Sequence, residues 1–242
     1  MTAPKSAAVP GRSSRARRAF HDNSDDVRSL WTLHQAAKDS SVLQRHLGPA
    51  NKGTYLLIAA LWETYCEDVV LETMDELLAG TSSADALPVA IRRAIAKDLK
   101  EDKHELGPWQ LAGEGWRELA RERARRLCTD MVFNSPKTAN VDELFRKTLG
   151  IEGLSQCWVT DRVPSARLAL DEHLTQRGEI AHRAATTSVS KRQVSDFYQL
   201  VMDLAKSMDT HLGAFVFVAT GIDPFTAATG HPKSEPAAVR LH

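Results

Sequence analysis

The stretch Lys52-Gly-Thr-Tyr55-Leu-Leu-Ile58-Ala-Ala-Leu61-Trp62-Glu63-Thr-Tyr65-Cys66-Glu67-Asp68-Val69-Val-Leu-Glu72-Thr73-Met-Asp75-Glu76-Leu77-Leu78 decides the fold. Tyr55, Ala59, Trp62, Cys66, Val69, Thr73 and Leu77 recur at steps of three and four, the period of one helix face. Leu56, Ile58, Leu61 and Tyr65 broaden that stripe, so the first half is expected to be buried nearly all round. Acids crowd the second half, where Glu63, Glu67, Asp68, Glu72, Asp75 and Glu76 predict an exposed face. A helix this apolar must be wrapped by other elements, and the flanking sequence supplies helices for the purpose.

Upstream, Asn23-Ser-Asp-Asp26 carries N-cap chemistry ahead of Val27, Leu30, Trp31 and His34 at helical spacing. Downstream, Gly80-Thr-Ser-Ser-Ala-Asp85 reads as a stop and a new cap. Helices are predicted from Pro88 to about Lys103, from Trp116 to about Phe133, and from Val141 to Leu149 with Gly150 as its stop. Two more run from Pro164 to about Ile180 and from Ser190 to Thr220. Strand signals are scarce, and Trp158-Val-Thr160 is the only short extended candidate. The expected fold class is therefore all-α, a helical bundle around one core. Residues 1–22, rich in Ala, Ser, Pro and Arg without periodicity, read as a disordered arm. Residues 23–221 read as a single all-helical domain and 222–242 as a flexible tail.

Lys plus Arg and Asp plus Glu each total 31, so no global field draws polyanions to the chain. Nucleic-acid contact would have to come from a local basic patch or from a paired subunit. The densest basic run, Arg121, Arg123, Arg125 and Arg126, has Glu118 and Glu122 among it, which predicts a salt-bridged helix face. Cys66, Cys128 and Cys157 are scattered and odd in number, the pattern of reduced thiols rather than a disulfide framework or zinc site. Phosphate-loop, HExxH, nucleophile-elbow, calcium-loop and helix-turn-helix patterns are absent from the sequence, so neither metal nor cofactor is expected. No apolar run approaches the ~20 residues of a membrane span, and the expected location is the cytoplasm.

One short segment carries chemistry: Leu174-Thr-Gln-Arg177-Gly178-Glu179-Ile-Ala-His182-Arg. Arg offers phosphate oxygens a planar fork of donors, and His exchanges a proton near neutrality. Together they suit phosphoryl transfer without a metal, provided the substrate brings its own nucleophile, as RNA does through its 2′-hydroxyl. Five residues apart on an unbroken helix, the two would lie about 140° apart. Convergence within one chain then requires the helix to end or bend between them, which Gly178 eases. Glu179 and Glu172 are candidates to orient the pair, as are Glu63 and Glu67 from the long helix; a solvated helix face accounts for the same four acids. His34, His46, His104, His173 and His211 show no ligand spacing and are assigned no role.

At this point the chain resembles the HEPN superfamily, and within it the RiboL-PSP type. The resemblance rests on Tyr55 to Asp68 of the long helix, on Phe133-Asn-Ser-Pro-Lys137 leading to Val141-Asp-Glu-Leu-Phe145, and on Arg177-Gly-Glu-Ile-Ala-His182 followed by a long helix. It spans roughly Lys52 to Gly221. Members are α-helical and usually dimeric, and many are metal-independent endoribonucleases with an Arg-x4–6-His motif. The resemblance thus implies a homodimer whose facing Arg177 and His182 cleave RNA to 2′,3′-cyclic phosphate ends, supported by Glu179, Gly178 and Glu63. It admits a toxin or antiviral defence effector, with an antitoxin or another regulatory protein as partner. Where the family commonly has a polar residue after the Arg, this chain has Gly178, which favours an alternative: a weakly catalytic module that binds RNA or a protein. A tyrosine found two residues beyond the His in one toxin subgroup is replaced by Ala184, so regulation through it is not supported.

Overall fold

The structure is a computed structural model that describes residues 13–37, 40–102, 104–130, 135–183 and 185–225. In chain order the helices are α1 (Arg15–Asp22), α2 (Asp25–Ala36), α3 (Ser41–Gly80), α4 (Val89–Glu101), α5 (Gly115–Asp130), α6 (Thr138–Leu149), α7 (Ala166–Arg183) and α8 (Lys191–Thr220). Short 3-10 turns occupy Ala84–Ala86, Gly107–Leu111 and Leu154–Cys157, and the described residues hold no strand. Trp158-Val-Thr160 accordingly is not a strand. Trp158 is buried edge-on against Trp62 at 6.0 Å, and the Thr160 hydroxyl donates to Asp203.

α3 is the axis of the bundle and touches α1, α2, α5, α6, α7 and α8. Tyr55, Ile58, Trp62 and Tyr65 are fully enclosed, as are Phe145 of α6, Leu170 of α7 and Phe197 of α8. Each large side chain buried in this way contributes about 1.5–3 kcal/mol. The helix starts earlier than the apolar stripe predicts, because the Ser40 hydroxyl caps Leu43 N–H and Pro49 is accommodated inside it. Its burial is also redistributed. Residues 41–50 are exposed or half-buried, whereas the acid-rich second half is more enclosed than its composition suggests, with Glu72 only 7% exposed.

The cause is α1, which overturns the expectation of a disordered arm as far as residues 13–22 are concerned. Glu72 accepts the Arg15 and Ala16 N–H groups at 2.8 and 2.9 Å. Asp209 of α8 accepts the Ser14 N–H and hydroxyl at 2.8 and 2.7 Å. Two carboxylates therefore take up the donors that a helix N-terminus leaves without intrahelical partners. Phe20 then lies against Tyr65 with ring centroids 5.6 Å apart. Residues 1–12 lie outside the described residues. At the other end Phe225 is buried beside Gly213, so packing continues past the expected start of the tail at 222; residues 226–242 lie outside the described residues.

α6 ends at Gly150, whose φ of 74° is left-handed and where a Cβ would lie 2.2 Å from the Ala90 Cβ, so only glycine fits. The end of the α5 helix predicted at Phe133, and the Phe133-Asn134 connection, fall outside the described residues beyond Asp130. α5 bears out the salt-bridged reading within the helix only for Arg121 and Arg125, which reach Glu118; Arg121 also meets Asp75 of α3, Arg123 and Arg126 meet Asp98 of α4, and Arg117 meets Glu114 just before the helix.

Candidate active site

α7 buries Leu170, Leu174 and Ile180 against the core, so the register of the helix is set by spacing that also fixes Arg177 and His182. Arg177 follows Leu174 by three residues and is half-buried on the inner side, near Glu63 of α3. Burial raises the Glu63 carboxyl above its usual range, and the Arg177 charge acts in the opposite direction. Glu67, one turn along α3, is raised by burial and then by the Glu63 charge, and Arg177 is not among its influences. Of the predicted acids, the structure therefore brings Glu63 to the motif. Glu172 and Glu179 are exposed.

His182 is exposed in the last turn of α7. The helix runs unbroken through Gly178 to Arg183, so the bend that would bring Arg177 and His182 together within one chain does not occur. Glycine at one position does not interrupt a helix whose neighbours on both sides are buried against a core. Gly178 instead lies one turn before His182, about 40° from it around the axis. A Cβ built at Gly178 meets no atom within 4 Å, so the helix surface one turn before His182 is an open shelf. Gly178→Ala is therefore expected to stabilise the fold by about 1 kcal/mol, the intrinsic helix penalty of glycine. Chemical denaturation checks this, and a loss of stability would mean the shelf is occupied in the free protein.

Behind Arg177 lies a polar cluster that spacing alone did not disclose. The Tyr55 hydroxyl is 2.6 Å from His173 Nδ1 and 3.0 Å from Gln176 Oε1, and the His173 ring stacks on Phe197 at 4.7 Å. A usable signal existed: His173 sits four residues before Arg177, within the Leu170–Leu174 apolar stripe. His34 also has a structural part, bonding Asn51 Oδ1 at 3.0 Å while Asn51 Nδ2 donates to the Val189 carbonyl at 2.9 Å. That pair fastens the connection after α7 to α3. Ala184 of that connection lies outside the described residues.

Burial holds the His173 imidazole down, to about 4. Its folded value lies below the unfolded one, so its contribution is present above pH 6.5 and is lost as pH falls toward 4. Wild type should lose about 2 kcal/mol between pH 7 and 4.5 that His173→Phe does not lose. The carboxylates titrate alike in both proteins, so parallel pH–stability curves would refute the assignment.

The thiols offer no alternative nucleophile: burial pushes Cys128 and Cys157 up to about 12 and raises Cys66 as well. Among the described residues no group of three or more His, Cys, Asp or Glu is placed to hold a metal ion. Two clefts, of about 410 and 790 Å³, are lined mainly from α4 and α5 and from α8 with the loop that precedes α7, and by no residue of α7 itself. No helix among the described residues is long and apolar enough to cross a membrane.

The all-helical bundle is consistent with a HEPN-like fold, and Arg177 and His182 lie on its penultimate helix among the described residues. The RiboL-PSP-HEPN family model matches residues 21–214, and the chain belongs to that family. No curated protein and no solved structure matches the chain. HEPN domains commonly dimerise and bind RNA, so membership points to an RNA-related function.

Proposed function

We propose that the protein is a metal-independent endoribonuclease whose site is completed by a second copy of the chain. The observation that carries this reading is the continuous α7, with an inner Arg177 near Glu63 and an exposed His182 one turn after the open shelf at Gly178. Two such helices facing one another across a two-fold axis would set the Arg of one protomer opposite the His of the other. His182 takes the proton from the 2′-hydroxyl as its oxygen attacks phosphorus, or delivers one to the departing 5′-oxygen. Arg177 holds the non-bridging oxygens and stabilises their developing charge. The bond to the 5′-oxygen breaks, leaving a 2′,3′-cyclic phosphate and a 5′-hydroxyl. Glu63 keeps the guanidinium in place, and Glu179, one turn before His182, lies on the same side of the helix.

Incubation with labelled RNA in EDTA, followed by analysis of the 3′ ends, tests this. Cyclic phosphate ends that disappear in His182→Ala are expected. Cleavage that survives the Arg177→Ala/His182→Ala double change would end the proposal. The bare Gly178 favours a second reading, a binding module with weak catalysis; RNA binding without cleavage by the wild type would establish it. A toxin or antiviral role, with an antitoxin or other regulatory protein as partner, belongs to this proposal and is tested by growth arrest on expression that His182→Ala relieves.

A further inference from the structure

We infer that the outward face of α4 is a track for the RNA backbone, distinct from the α7 site. This inference rests on the reading of the chain as RNA-directed. α4 buries Ile91 and Ile95, with Leu99 packed beside them. The opposite side carries Arg92, Arg93, Lys97 and Lys100, all exposed, with Ala96 between them. Around the helix these residues span about 140°, and from Arg92 to Lys100 they extend about 12 Å, the reach of a few consecutive phosphates.

The charge on this face is only partly compensated, for a structural reason. Asp98 belongs to the same helix but turns toward α5, where it meets Arg123 at 3.1 Å and Arg126 at 2.6 Å. Glu101 reaches only Lys97, at 3.7 Å, and the exposed Asp85 is near Arg92. Among the described residues neither Arg93 nor Lys100 pairs with a carboxylate. The arginine-rich α5, the more conspicuous basic run in the sequence, has its guanidinium groups matched with acids. The balanced total of 31 cations and 31 anions thus conceals a separation in which the outward face of α4 keeps an excess of positive charge, with Arg93 and Lys100 unmatched among the described residues.

The chemistry of the face selects its occupant. A protein partner would need an apolar or aromatic anchor at the centre of the patch, where Ala96 is the only apolar side chain between the four cations; the exposed Val89 lies at its edge, one turn before Arg92. A phosphate backbone needs only regularly spaced cations. α4 packs on α6, and α6 on α7. With axes 8–10 Å apart, the face lies roughly 20 Å from the α7 axis. A strand of many nucleotides can engage both places, and a trinucleotide only one.

The test uses full-length protein with Arg92, Arg93, Lys97 and Lys100 all changed to Gln, sites whose exposure leaves the core untouched. Cleavage of a 20-nucleotide RNA and of a trinucleotide is compared at two salt concentrations. The loss of kcat/KM for the long RNA should exceed that for the trinucleotide by about 10-fold at low salt, through KM. The slope of log affinity against log salt for the long RNA should become shallower by about 2. Equal losses for both substrates, or none, would overturn the track. If wild type cleaves neither RNA, the nuclease reading fails by itself, and the track is judged by fluorescence anisotropy of the labelled 20-mer. Weaker, less salt-dependent binding by the fourfold variant supports it. Unchanged RNA binding overturns it, and so does an acidic protein partner held by these four residues when RNA affinity is unchanged.

Discussion

Replacing His182 with alanine should lower RNA cleavage by about 10³-fold, within the range a positioned acid–base group contributes, without moving the thermal unfolding midpoint. The two halves of this expectation have separate causes. The imidazole is the exposed proton-exchanging side chain in the last turn of α7, so its loss removes the proton transfer to or from a ribose or leaving oxygen. It is also exposed, so its removal opens no cavity in the core. Arg177→Ala should be comparably inactive but also modestly less stable, because Glu63 would be left half-buried without the opposing charge. The geometry of α7 makes a sharper demand. With Arg177 and His182 on different sides of one continuous helix, mixing inactive Arg177→Ala with inactive His182→Ala should restore measurable cleavage. The mixed dimer contains one intact Arg and one intact His on different protomers. Mixtures as inactive as their components, shown to exchange subunits, would rule out a site shared in this way.

Asp209→Ala should destabilise the fold by about 3 kcal/mol and release α1 from the bundle. The Asp209 carboxylate is 2% exposed and receives the Ser14 N–H and hydroxyl, the Tyr65 hydroxyl at 3.0 Å, and the Arg17 guanidinium at 3.3 Å. Alanine leaves the Ser14 donors buried without an acceptor, whereas Tyr65 keeps the Ala205 carbonyl at 2.9 Å. The damage should therefore concentrate at residues 14–20, seen as fast amide exchange and tryptic cleavage there before global unfolding. Ser14→Ala removes a single hydroxyl cap and should cost only about 1 kcal/mol. Equal protection of α1 in wild type and Asp209→Ala would show that Glu72 and Phe20 hold it unaided. Burial raises the Asp209 carboxyl despite these donors. Its stabilising contribution is accordingly fully present below about pH 4 and falls as pH rises through the folded value, opposite in sign to His173.

These expectations show where the sequence was informative. The α3 stripe from Tyr55 to Leu77 and the α8 stripe from Val194 to Met208 were readable because helical burial repeats every three or four residues within one segment. Gly150 was readable as a stop because left-handed backbone favours glycine. The 13–22 segment was not, since its one helical repeat, Ala16 to Phe20, is too short to stand out and its acceptors, Glu72 and Asp209, are far along the chain. Composition likewise pointed to α5 as the basic element, and only the placement of Asp98 and Asp75 opposite its arginines shows α4 to be the helix with cations left unmatched.

For the Arg177–His182 segment, the sequence by itself determined the residue types, their spacing, the helix that carries them and, through resemblance, the family that the 21–214 match then showed. Those properties are local, set by side-chain chemistry and by a period of 3.6 residues per turn. Tertiary structure alone decided that the helix stays unbroken through Gly178, that Glu63 is the acid brought near Arg177, and that the surface at Gly178, one turn before the exposed His182, is open. Each of these depends on how α7 docks against α3 and α8, and such contacts join residues more than a hundred positions apart whose pairing no local pattern records.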